Sequence, residues 1–115
     1  MKKFVALYLA PASAIEQMKE HMKKAGPEQA KAGMELWMKW AKQHERSIVE
    51  LGAPLGKTKK ITASGASDTR NDVTGYSIVQ AETHDDAAKM FEGHPHFHGP
   101  GGSVEVLEVM PIPGV

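Results

Sequence analysis

The chain has no cysteine, so a disulfide framework, a thiolate metal ligand and a cysteine nucleophile are all excluded. That composition suits a reducing compartment, and a cytoplasmic protein is expected. An excess of charge is also lacking. Fourteen basic side chains balance fourteen acidic ones, which leaves no net field to draw the protein to nucleic acid or to an anionic membrane. The one basic run, Lys57, Lys59 and Lys60, is short. No apolar run approaches the length of a membrane-crossing helix. Arginine occurs only twice, at 46 and 70, which singles out Arg70 in its polar loop.

What is present fits one domain over residues 1–115, a length that supports one core and is too short for two. The opening "MKKFVALYLAPASA" imitates a secretory signal, with two lysines, an apolar run and a small-residue stretch. It reads better as a first strand, Phe4 to Leu9, closed by Pro11. Ser13 is placed to cap a helix that stops at Gly26. Pro27 then opens a second helical stretch. In it Ala30, Met34, Trp37, Ala41, His44, Ile48 and Leu51 alternate spacings of four and three, predicting one continuous helix face ending near Leu51. A modest strand is expected over Gly56 to Thr62, then turn composition in "ASDTRND". "TGYSIVQAE" is a strand signal. Thr83 and Asp86 approximate a capping box for a short helix reaching Gly93, and "SVEVLEVMPI" is the final strand.

The order strand, helix, strand, strand, helix, strand predicts the α+β class, as a ferredoxin-like βαββαβ subunit with both helices on one side of an antiparallel sheet. Runs such as Phe4-Val5-Ala6-Leu7 leave apolar residues on both sheet faces. Covering the second face calls for another subunit, so a homodimer is expected.

Function-bearing residue types concentrate in "GHPHFHGPGG", residues 93–102. In an extended segment His94, His96 and His98 would project to one side, as chelating ligands do. Pro95 and the flanking glycines favour an irregular loop, and no physiological metal is expected. His94 and His96 in a cleft would instead exchange protons with, or orient, a ligand near neutral pH, while Phe97 is expected to plug the core. Trp37, Trp40 and His44 share a helix face that could wall a pocket for a flat ring or simply belong to the core. Met34, Met38 and Met90 read as core fillers. Arg70 could hold an acidic substrate or tie its loop down through Asp68 or Asp72. "GPGG" lacks the strand-to-helix context of a phosphate loop.

Taken in order, "FVALYL", "IVELGAPLG", "GYSIVQAETHDDAAKMFEGHPHF" and "GGSVEVLEVMPIPG" resemble the YCII-related family over nearly the whole chain. The resemblance implies a dimeric α+β barrel, two ferredoxin-like subunits pressing their sheets together. Its wider superfamily includes cofactor-free monooxygenases, lactone isomerases and a dehydrochlorinase. It also implies a His–Asp pair, from which this chain departs. Glu35 stands near the family's histidine position and His94 at its aspartate position, so acid and imidazole are exchanged. The implied function is a cofactor-free lyase or isomerase acting on a small cyclic or aromatic metabolite. Its expected catalytic pair is His94 as base, oriented by Glu35, with His96, Arg70, Trp37 and Trp40 at the substrate. The alternative is a non-catalytic binding or accessory module using the same pocket.

Overall fold

The computed structural model describes every residue except Pro100 and Val115, and all side chains within helices and strands except those of Met18, His21, Met22 and Ala25. Strand β1 (Lys2–Leu9) alternates cleanly, with Phe4, Ala6 and Tyr8 buried on one face and Val5, Leu7 and Leu9 half-buried on the other. The signal-like stretch is thus an inner strand of the sheet. Helix α1 (Ala12–Gln43) starts from Pro11, whose carbonyl accepts the N–H groups of Ala14 and Ile15. Ser13 does not cap it: Pro11 occupies the cap position with its fixed φ, and no side chain contributes. Gly26 breaks the helix at φ 76° and Pro27 opens the second limb, as the sequence suggests.

The second limb stops at Gln43, eight residues before the expected end. Ile48 and Leu51 belong instead to β2 (Ile48–Pro54). Two register shifts in its pairing with β5 explain the misleading pattern. A bulge lets residues three apart face the same side, and Ile48 and Leu51 both pack on the core at a spacing that imitates a helix. The bulge requires Gly52, at φ 83°, because a Cβ there would lie 1.7 Å from the Tyr76 carbonyl oxygen. The expected strand over 56–62 is present only as β3 (Thr58–Thr62), and it does not join the main sheet. It pairs with β4 (Gly65–Thr69), formed by residues that read as a turn. Neither strand has a buried residue, so no hydrophobic alternation marks them.

Strand β5 (Val73–Ala81) alternates as strictly as β1. Helix α2 (His84–Lys89) is capped by Thr83, whose Oγ1 accepts the Asp86 N–H at 3.1 Å. After the left-handed Gly93, a 3-10 turn (Pro95–His98) leads to β6 (Ser103–Glu108). The four-stranded sheet has the order β2-β5-β1-β6 with every pairing antiparallel, the ferredoxin-like arrangement with a hairpin inserted between β2 and β5. Phe4, Ala6, Tyr8 and Val79 of the sheet meet Trp40 of α1 and Ala87 of α2 in a single core, which places both helices on one face. The molecule is only 19 Å thin, the depth of one sheet layer and one helix layer. On the other face Val5, Leu7, Leu9 and Ile78 are half-buried and Leu107 is exposed, with no second layer among the described residues.

Candidate functional site

His94 is fully buried, one of two buried polar residues among those described; the other is Ser77. Gly93, at φ 71°, turns the chain after α2 so that the His94 ring points into the core. Four aromatic side chains enclose it. Ring centroids lie at 4.4 Å for Trp40, 4.5 Å for Trp37, 5.1 Å for Tyr8 and 5.8 Å for Phe91. The box is braced from behind. The Trp40 indole N–H donates to the Met90 carbonyl at 2.8 Å. The Tyr8 hydroxyl donates to Ser77 Oγ at 2.8 Å, since the Ser77 hydroxyl itself donates to the Leu51 carbonyl at 2.6 Å. Burial raises the Tyr8 phenol above its usual range, and the Ser77 bond offsets part of that rise.

The hydrogen bonds of His94 fix its proton. Nδ1 accepts the backbone N–H of His96 at 3.0 Å, so this nitrogen carries a lone pair. A neutral ring must then hold its proton on Nε2. That Nε2 has no partner, the only such buried side-chain nitrogen or oxygen among the described residues. Leaving a buried donor unsatisfied costs about 1–3 kcal/mol, so the group calls for an explanation. Protonating Nδ1 would break the His96 bond and bury a charge. Burial first, then the neighbouring charges of His96, His44 and His98, push the imidazole down from 6.5 to about 4.

His96 is held the opposite way round. Its Nε2 contacts the Leu9 carbonyl at 2.8 Å and must donate, so in the neutral tautomer the lone pair is on Nδ1. Gly102 allows this seat: a Cβ there would meet the His96 carbonyl oxygen at 2.8 Å. His96 and Trp37 are the partly exposed members of the assembly, whereas Tyr8, Trp40, Phe91 and His94 are buried.

Four of the six residues singled out by sequence therefore meet: His94, His96, Trp37 and Trp40. The other two lie outside the box. Glu35 is exposed on α1 and makes no hydrogen bond or ion pair with His94, and His94 is lowered by burial, not raised by a carboxylate. Arg70 is exposed beyond β4, and Asp68, offered as its partner, pairs with Lys59 at 2.6 Å. The alternating projection imagined for the three histidines is absent, because the segment coils into a 3-10 turn with His98 exposed. Among the described residues no three potential ligands gather around a point that could hold a metal. Phe97 does not plug the core, being 44% exposed on the outer side of that turn. Met34 and Met38 are likewise exposed, and of the three methionines only Met90 is a core filler. Sequence reasoning missed Tyr8, Phe91 and Ser77. Tyr8 could have been found from its alternation with Phe4 and Ala6, and Phe91 from its three-residue spacing to His94. A separate open groove of about 460 Å³ runs between α1 and β2, lined by Met38, Ala41, Lys42, Glu45, Ile48 and Leu51.

No known family profile matches the chain, and no curated protein does. Among solved structures it is similar to 5-chloro-2-hydroxyhydroquinone dehydrochlorinase (TftG) from Burkholderia phenoliruptrix AC1100, in complex with 2,5-dihydroxybenzoquinone. The two are 15% identical, with 91% of each chain covered and a TM-score of 0.44.

Proposed function

We propose that the chain binds a small cyclic or aromatic metabolite by one of its oxygens, with His94 Nε2–H as the donor to that oxygen. The observation that carries this is the unpartnered Nε2–H inside a box of aromatic rings. Flat faces suit a ring, and a lone donor in dry surroundings suits a carbonyl or phenolate oxygen. The ligand enters past Trp37, the one partly exposed aromatic wall of the box.

The chemistry this supports is that of a lyase or isomerase. A neutral imidazole that stays neutral at working pH polarises a carbonyl without losing its proton to bulk base, and it stabilises the enolate that forms when a neighbouring carbon is deprotonated. The roles suggested by sequence are thereby exchanged. His94 is the donor, and His96, whose Nδ1 keeps its lone pair, is the base. Trp37 and Trp40 hold the ring. That no carboxylate pairs with His94 favours a second reading, a binding module that holds the same ligand without turning it over.

Two copies pair through the uncovered sheet faces, where Val5, Leu7, Leu9, Ile78 and Leu107 form an apolar surface. A thermal-shift screen of cyclic ketones, lactones and phenols tests the ligand class. Hits are expected with wild type and lost in His94→Phe, whereas equal shifts in both would refute the donor role. Turnover of a hit that His96→Gln abolishes, with binding kept, identifies the enzyme; binding without turnover identifies the module.

A further inference from the structure

The β3–β4 hairpin stands apart from the rest of the fold. None of its residues is buried, and Ile61 near its tip is 78% exposed. It makes no pairing with the main sheet. Its reach helps raise the radius of gyration to 16.1 Å, against about 13 Å for a compact chain of this length. A free two-stranded hairpin is marginal in water, so a formed one that no part of its own chain supports is suited to being supported by something else.

Its charge points to what that is. Residues 57–70 carry Lys57, Lys59, Lys60 and Arg70 against the single Asp68. The rest of the chain then holds ten basic and thirteen acidic groups, so a neutral protein is divided into a basic arm and an acidic body. The uncovered sheet face shares the acidic sign. Glu50, opposite Ile78, and Glu105, opposite Leu7, lie on it with Lys3 the one base.

We infer that the hairpin is an intersubunit arm: beside the paired sheets, each copy lays Ile61 and the lysines of its arm on the acidic rim of the second copy's open face, where Glu50 of β2 and Glu105 of β6 stand on the two edge strands. The inference rests on the paired-sheet reading above and adds to it the element that clasps the pair. A twofold axis makes the exchange mutual, so the arm contact occurs twice in the assembly. Complementary charge across such a contact also makes pairing salt-dependent.

Sedimentation equilibrium on the intact chain tests this with three variants: Ile61→Asp; the triple variant Lys57→Glu, Lys59→Glu, Lys60→Glu; and that triple variant combined with Glu105→Lys. Wild type is expected to dimerise. Ile61→Asp and the triple variant should each raise the dissociation constant at least about tenfold, the triple variant's deficit shrinking at high salt and Glu105→Lys recovering part of it. Because the arm does not pack on its own chain, the melting temperature of the dilute monomer should stay unchanged in all variants. Dissociation constants equal to wild type would overturn the arm while leaving paired sheets intact. A wild type monomeric at every concentration would overturn the pairing itself and the arm with it. Loss of retention on a polyanion column with dimerisation unchanged would reassign the lysines to an anionic partner.

Discussion

Lowering the pH from about 7 to about 4.5 isolates the cost of keeping the His94 ring neutral. In the unfolded chain this imidazole takes up its proton near 6.5, and in the fold only near about 4, because burial opposes the charge. Between those values the unfolded state binds more protons, so stability falls as pH falls through that window and levels off below it. Fully expressed, the gap between 6.5 and about 4 is worth about 3 kcal/mol, of which about 2–3 kcal/mol has been lost at pH 4.5. His94→Phe keeps a flat ring among Tyr8, Trp37, Trp40 and Phe91 while removing the titration. Urea unfolding of both proteins at both pH values cancels the carboxylates common to them. With a slope of about 1 kcal/mol per molar urea, the wild-type midpoint should drop by about 2 M more than that of the variant. Parallel acid dependence in the two proteins would refute the reasoning, since it would mean that His94 is protonated in the fold.

Gly52→Ala should cost about 3 kcal/mol or more, or prevent folding, because the new Cβ meets the Tyr76 carbonyl at a left-handed φ; the melting temperature reads it. Trp40→Phe removes the donor to the Met90 carbonyl and part of the box wall, for an expected loss of about 2–3 kcal/mol in urea unfolding. Thr83→Ala deletes the cap of α2 and should cost about 1 kcal/mol by the same measurement. Asp68→Ala breaks an exposed pair with Lys59 and should leave monomer stability within about 0.5 kcal/mol.

The strands β1 and β5 were legible from their apolar, β-branched and aromatic content, not from alternation: "FVALYL" is apolar on both faces, and the face that the core covers emerges only in the fold. Helix α2 was legible through Thr83 and Gly93, whose roles depend on local backbone alone. The boundary between α1 and β2 was not, since a bulge and a helix both bring Ile48 and Leu51 to one side. Of the hairpin only β3 was foreshadowed; β4 read as a turn because pattern reports burial against one's own core, and its residues have none. At the site, residue types and spacing brought His94, His96 and the two tryptophans into view, but not the direction of the chemistry. Which nitrogen of His94 holds the proton depends on the His96 N–H, and that bond exists only because the loop coils into a 3-10 turn instead of running extended. Nor could periodicity set Glu35 against His94: Glu35 lies exposed on α1, whereas His94 packs against Trp37 and Trp40 of the same helix.

The most direct test is nitrogen-15 NMR of the histidine rings between about pH 4 and pH 8. The account requires His94 to show a neutral ring with Nδ1 unprotonated and Nε2 bearing the proton, persisting until the pH approaches about 4. A His94 ring that carries its proton on Nδ1, or becomes an imidazolium near pH 6, would contradict it.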